Sequence, residues 1–218
     1  MGTQSTTGRV NQKLRTRTAI VQAAAELSRT GQEVTMPEVA GRALVSEATA
    51  YRYFPDLLSL LREAIAGQLP TPAEALTPVA DSTDPVERVA AATEFLLRHI
   101  QARQGVVRAM IAATVVRPAE AAARPGLRFG MIDHALAPAA ESGALEPAAL
   151  EQLKRDLAIV VSAEALFSLT DLYGLDPEEA ISSLLRTATT LTRAALRDGE
   201  SADNLARPDA TPHPRTAA

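Results

Sequence analysis

Short polar side chains followed at once by aromatic and basic ones occupy residues 46–54, SEATAYRYF. Ser46, Glu47, Ala48 and Thr49 would fill the first turn of a helix, where short side chains can reach base edges. Thr49 offers a methyl or a hydroxyl there, and Glu47 an acceptor for a cytosine amino group. A phenol grips a phosphate oxygen at low entropic cost, and the Arg52 guanidinium can bind phosphate or guanine in bidentate fashion. Three of the chain's seven aromatic residues stand among these few positions, as Tyr51, Tyr53 and Phe54. Phe54 fits the core of a small bundle, Tyr51 fits a phosphate contact, and Tyr53 fits either role.

Little else in the sequence could do chemistry. The absence of cysteine excludes thiolate catalysis, disulfides and cysteine-ligated zinc, and three histidines leave little for a metal or acid/base site. A hydrolase would have only Asp133-His134 and scattered Ser and Glu. The chain is therefore expected to be no enzyme and to need no cofactor or metal. No run of about 18 apolar residues occurs, and the N-terminus MGTQSTTGRVNQKLRTRT lacks the apolar core of a secretory signal, so a cytoplasmic protein without a membrane partner is expected. The net charge of −4 divides unevenly: residues 1–54 carry +3 and the remainder −7. A basic head that meets an anion and an acidic body that does not would give this split.

The elements that must position these residues are helical throughout, because Ala, Leu, Glu and Arg recur at helical spacing and β-branched alternation is almost absent. A first helix over 13–29 places Ile20, Ala23, Ala24 and Leu27 on one face and stops at Gly31. Thr35 three residues before Glu38 is a capping box, with Val34 and Val39 spaced as a hydrophobic staple, so a short second helix runs from about Met36 to Ala43. Ser46 can cap a third helix ending at Phe54. Pro55 then interrupts, and Asp56 can cap a fourth. Two short helices joined through Leu44-Val45 behind a longer one describe a helix-turn-helix.

Residues 13–65 resemble the DNA-binding domain of the TetR family of transcriptional regulators. The resemblance is carried by Gly31, Thr35, Val39-Ala40, Val45-Ser46, Thr49-Ala50-Tyr51-Arg52-Tyr53-Phe54, Pro55-Asp56 and Leu60-Leu61. It implies that Thr35 and Tyr51 touch phosphates and that Ser46, Glu47, Ala48, Thr49, Arg52 and Tyr53 line the major groove. Lys13, Arg15 and Arg17 would reach the backbone or an adjacent minor groove. Leu44 stands where the family has a turn Gly, so a side chain is expected at positive φ or in a reshaped turn, at about 1 kcal/mol. Leu57 replaces a Lys, which should remove one phosphate contact and lower the salt slope by roughly one unit per subunit.

Beyond PTPAEALTPVADSTDP at residues 70–85, longer helices are expected over 86–103, 106–116, 119–142, 148–173 and 178–197. In the 148–173 segment Leu150, Leu153, Leu157, Val161, Glu164, Ser168 and Asp171 share a face, with Ile159, Ala163, Leu166 and Tyr173 opposite, as if the helix were buried on both sides. The last helix sets Ile181, Leu185, Ala188, Thr192 and Ala195 against a small-residue face of Ser183, Thr187, Thr190 and Ala194. Such faces suit a homodimer of paired helices, and two-fold recognition of a palindromic operator would require one. Glu164 and Asp171 must be paired, for instance with Arg98 or Arg128, or touch a ligand, or face solvent. Phe95, His99, Met110, Met131, His134 and Phe167 could line an effector pocket with them.

The sequence is thus read as an all-α protein: a flexible arm over 1–12, a helix-turn-helix domain over 13–56, a helical effector-binding and dimerisation domain over 57–197, and a disordered tail over 198–218. The resemblance implies a homodimeric regulator, a repressor released from double-stranded operator DNA by a small-molecule effector. The alternative is a helical interaction protein that keeps the helix-turn-helix fold without reading DNA.

Overall fold

The computed structural model describes residues 4–66, 68–116 and 126–206, and every regular element among them is helical. The head comprises α1 (Gln4–Leu27), α2 (Met36–Arg42), α3 (Glu47–Tyr53) and α4 (Leu57–Ile65). α1 already runs from Gln4, so residues 4–12 of the expected flexible arm are helical, with no proline to interrupt them, while residues 1–3 lie outside the described residues. Seven-residue helices are unstable alone, so caps and burial must fix α2 and α3. Thr35 closes the expected capping box, its Oγ1 accepting from the Glu38 N–H while its own N–H donates to the Glu38 carboxylate at 3.0 Å. Ser46 caps α3 by accepting from the Thr49 N–H at 3.2 Å, and Asp56 caps α4 through the Ser59 N–H at 2.7 Å. Each cap contributes about 1 kcal/mol.

The head's core gathers Ile20 and Ala24 from α1, Val34 and Val39 of the staple, Ala50, Phe54, and Leu58, Leu60 and Leu61 of α4. α4 therefore belongs with the helix-turn-helix rather than with the body, and the boundary expected after residue 56 is not where the core ends. Val106 and Met110 from the body's α7 enter the same core.

The body follows as α5 (Pro72–Ala75), a 3-10 turn (Thr77–Val79), α6 (Pro85–Ala102), α7 (Gln104–Val116), α8 (Leu127–Glu141), α9 (Pro147–Val160), α10 (Ala163–Phe167) and α11 (Pro177–Ala206). α11 packs on α6 and α9, and α8 packs on the same two helices, around Leu97, Met131, Leu136, Leu157 and Leu166. Of the segment expected as a helix over 119–142, residues 119–125 lie outside the described residues. The last helix extends to Ala206 rather than stopping at 197, so the first nine residues of the expected tail are helical; residues 207–218 lie outside the description.

The single helix expected over 148–173 is two helices. α9 ends at Val160, and the Ser162 N–H turns back to the Val160 carbonyl at 3.0 Å, an inverse γ-turn about Val161 at φ −85°, ψ 66°. Three consecutive β-branched residues, Ile159, Val160 and Val161, weaken the helix there, and Ser162 then caps α10 by accepting from the Ala165 N–H at 3.0 Å. A π-helical turn (Ser168–Leu172) ends the segment. The break resets the register: Ala163 and Leu166 join Leu157 in one core, whereas Ile159 and Tyr173 stay exposed.

Two close fits join the helices. Pro138 lies inside α8 and cannot donate to the His134 carbonyl. The Arg88 guanidinium from α6 takes that place at 2.8 Å and also donates to the carbonyls of Ala135, Val79 and Ser82. Head and body meet at Gly105, whose N–H donates to the Gly31 carbonyl at 3.2 Å. A Cβ there would lie 1.5 Å from the Gln32 carbonyl oxygen, so only glycine permits this approach. Among the described residues no helix is long and apolar enough to cross a membrane.

Candidate functional site

α2 ends in a Schellman motif: the Leu44 N–H donates to the Gly41 carbonyl at 3.2 Å and the Val45 N–H to the Ala40 carbonyl at 3.0 Å. Leu44 sits at φ 56°, the one non-glycine at positive φ among the described residues, with its side chain 92% exposed. The turn thus keeps left-handed geometry with leucine in it. Leu57 lies against the head's core.

This turn presents α3. Ser46, Glu47, Ala48, Tyr51 and Arg52 are exposed, and Thr49 and Tyr53 half-buried. Ser46 and Thr49 are tied hydroxyl to hydroxyl at 2.9 Å, which orders both ahead of any contact. Phe54 is buried, and Tyr53 packs partly on the same core with the Arg52 guanidinium over its ring at 5.7 Å. Tyr53 therefore takes the core role in part and keeps the rest of its side chain at the surface. Lys13 from α1 meets Thr49, Arg52 and Tyr53 at a surface hollow between the two helices.

The basic residues divide by partner. Arg17 forms an ion pair with Glu63 of α4 and stands 5.0 Å from the Phe54 ring, so it braces the head from within its own surface. Arg42 pairs with Glu26 at 3.0 Å. Lys13, Arg15 and Arg52 make no ion pair among the described residues. The Thr35 hydroxyl donates to the Glu38 carboxylate at 2.9 Å, so the capping box already engages it.

A second feature is a half-open cavity of about 620 Å³ between head and body. Its walls come from Ser28 at the end of α1, Ile65 at the end of α4, Leu96 to Ile100 on α6 with Arg103 just past its end, Val106 to Met110 on α7, the start of α8, and the break between α9 and α10. That size suits a drug-sized molecule. Of the eight residues expected to line a pocket, His99, Met110 and Glu164 do so. The other five stand elsewhere. Phe95 stacks behind His99 with ring centroids 6.0 Å apart, and Met131 is fully buried in the body's core. His134 contributes its carbonyl to Arg88. Asp171 forms an exposed ion pair with Arg108, which also lies 3.8 Å from the Phe167 ring. That pairing holds the Asp171 carboxyl below its usual range. The register reset at Val161 turns Asp171 away from Glu164, and Arg98, one suggested partner, instead pairs with Glu94 and Glu178.

Glu164 lies 3.6 Å from Arg128, the other suggested partner. The His99 Nδ1 faces the Arg103 Nη1 at 3.2 Å. A guanidinium only donates, so Nδ1 accepts and the neutral ring carries its proton on Nε2. Burial first, and the Arg103 charge second, push the His99 pKa down to about 4. Its Nε2 is buried and has no hydrogen-bond partner among the described residues. Sequence reasoning missed Arg103, although its place four residues after His99 put both on one helical face. It also missed Ser162, because nothing local marks a helix break as a cavity wall.

The chain is similar to a crystal structure of a TetR transcriptional regulator from Rhodococcus sp. RHA1, at 24% identity and a TM-score of 0.49, over 83% of this chain and 97% of that one. No family model matches the sequence, and no curated protein matches it. Among the described residues no cluster of His, Asp and Glu could hold a metal ion.

Proposed function

We propose that the protein is a homodimeric DNA-binding transcriptional regulator of the type its head resembles, a repressor released from a palindromic operator when a small molecule fills the cavity. One observation carries the reading. The outer face of α3, from Ser46 to Arg52, is exposed and polar, and it stands beside a Lys13 and Arg52 that no carboxylate among the described residues neutralises. Such a face offers side chains to base edges and cations to phosphates at once. Tyr51, 46% exposed, adds a phenol to the same surface.

Dimerisation through α9 and α11 is supported by what the single chain leaves open. On α11 the face of Ile181, Ala188 and Thr192 is buried, whereas Thr187 and Thr190 on the small-residue face are exposed. Ile159 on neighbouring α9 is also exposed, at 73%. Effector response is supported by the cavity's walls, which include the ends of α1 and α4, so a filled cavity bears on the helices that carry α3. The test is enrichment of genomic DNA on the purified protein followed by a mobility shift at low salt. A recurrent palindrome with half-sites about a helical turn or more apart is expected. No enriched sequence and no shift would leave the interaction-protein alternative standing.

A further inference from the structure

The cavity's charged groups are few and unequal. Arg103, Arg128 and Glu164 line it, with His99 held neutral. Glu164 and Arg128 lie together at 3.6 Å and largely offset one another. Arg103 has the neutral His99 ring as its hydrogen-bond partner and no carboxylate among the described residues. One of its five N–H donors is directed at Nδ1, which fixes the guanidinium and leaves the others for a ligand. The His99 ring beside it has a buried Nε2–H without an acceptor. Around these groups the walls are apolar: Ile65, Leu69, Leu96, Ile100, Val106 and Met110. α8 also begins here, at Gly126, which has no side chain to cap it, so the positive end of that helix adds to the same field.

Resting on the reading of this cavity as the effector site, we infer that its ligand is an amphipathic monoanion, a carboxylate on an apolar chain or ring. The carboxylate sits against Arg103 and the apolar part fills the space toward α4 and α7. A neutral ligand of the same shape leaves the Arg103 charge partly desolvated and uncompensated, and a cation is repelled by it. A bidentate guanidinium–carboxylate contact distinguishes these cases because it needs both the charge and the two parallel oxygens. Glu164 does not reverse the preference, since its charge is already matched by Arg128.

The test is calorimetric titration of the full-length protein, free of DNA, with decanoate, decan-1-ol and decyltrimethylammonium, each kept below its aggregation threshold. Decanoate should bind about tenfold or more tighter than the alcohol, and the cation weakest. In Arg103→Met the gap between decanoate and decanol should close while decanol affinity stays within about threefold. The wild-type comparison of the three probes stands even if the variant folds poorly. Equal binding of acid and alcohol, preference for the cation, or no binding of any probe would overturn the assignment. A mobility shift on the same samples separates the two readings: decanoate binding without any operator complex would sink the regulator and leave the ligand class intact.

Discussion

Leu44 in the head and Gly143 in the body end their helices with the same pair of hydrogen bonds. The Gly143 N–H donates to the Ala140 carbonyl and the Ala144 N–H to the Ala139 carbonyl, as Leu44 and Val45 do to Gly41 and Ala40. Both residues lie in the left-handed region, at φ 67° and 56°. In the body glycine takes the position and no strain follows, while in the head a leucine takes it with its side chain in solvent. Polar groups show the same contrast in reverse. The body satisfies what it buries, as Arg88 does with four carbonyls, and departs from this at the cavity, where the His99 Nε2–H lacks a partner. The head keeps its polar groups outside and unneutralised on α3. Strain and unpartnered donors therefore collect at two places, the turn that presents α3 and the cavity wall, and these are the places proposed for binding.

That contrast can be broken most sharply at α6, which carries Arg88 near its start and Arg103 just beyond its end. Arg88→Met should cost about 3 kcal/mol or more, read from urea unfolding, because four carbonyls lose their donor and the gap opposite Pro138 reopens. If the loss is under 1 kcal/mol, the body does not depend on satisfying its buried polar groups. On the head, Tyr51→Phe combined with Arg52→Ala should weaken operator binding about a hundredfold, by mobility-shift titration, because a phenol contact and a charged contact are both lost. Both side chains are exposed, so the unfolding midpoint should barely move. Full affinity would show that α3 is not the reading helix.

The two helix ends give a smaller and reciprocal effect. Gly143→Leu has open space around its Cβ, so it should cost only the left-handed strain, about 1 kcal/mol. Leu44→Gly should gain about 0.5 kcal/mol, since relief of strain is partly offset by the freedom glycine adds to the unfolded chain. The smallest effect concerns His99. Its pKa is depressed in the fold, so the unfolded chain takes up the proton first, and stability is full above about pH 6.5 and declines as the pH falls toward 4. The ring is only half-buried, and solvent screening discounts the shift. A melting temperature lower by about 2 °C at pH 5 than at pH 7 is expected, with no such difference attributable to this site in His99→Gln.

The head was largely legible because its signals are local. Thr35-x-x-Glu38, Ser46 and Asp56 each declare a helix start within four residues, and Pro55 separates α3 from α4. Even the strain at Leu44 could be expected, though only through the family resemblance, since Leu44 stands where that family has a turn Gly. The fate of Arg17 was not legible, because Glu63 lies 46 positions away and only the packing of α1 on α4 brings the two together. In the body the core faces of α9 and α11 were readable from periodicity, as the burial of Leu150, Leu153, Leu157, Ile181, Ala188 and Thr192 shows, but one continuous wheel over 148–173 carried Glu164 and Asp171 to a shared face that the break at Val161 separates.

The sequence by itself determined an all-helical chain, a helix-turn-helix whose third helix displays Ser46 to Arg52, and the burial of Phe54, because caps, turn residues and a 3.6-residue period act over a few positions. Tertiary structure alone decided that α4 belongs to the head, that Arg88 replaces a hydrogen bond removed by Pro138, and that Arg103, His99 and Glu164 meet at one cavity. Those outcomes depend on which helix faces which, and long-range packing fixes that only when the whole chain has closed around its cores.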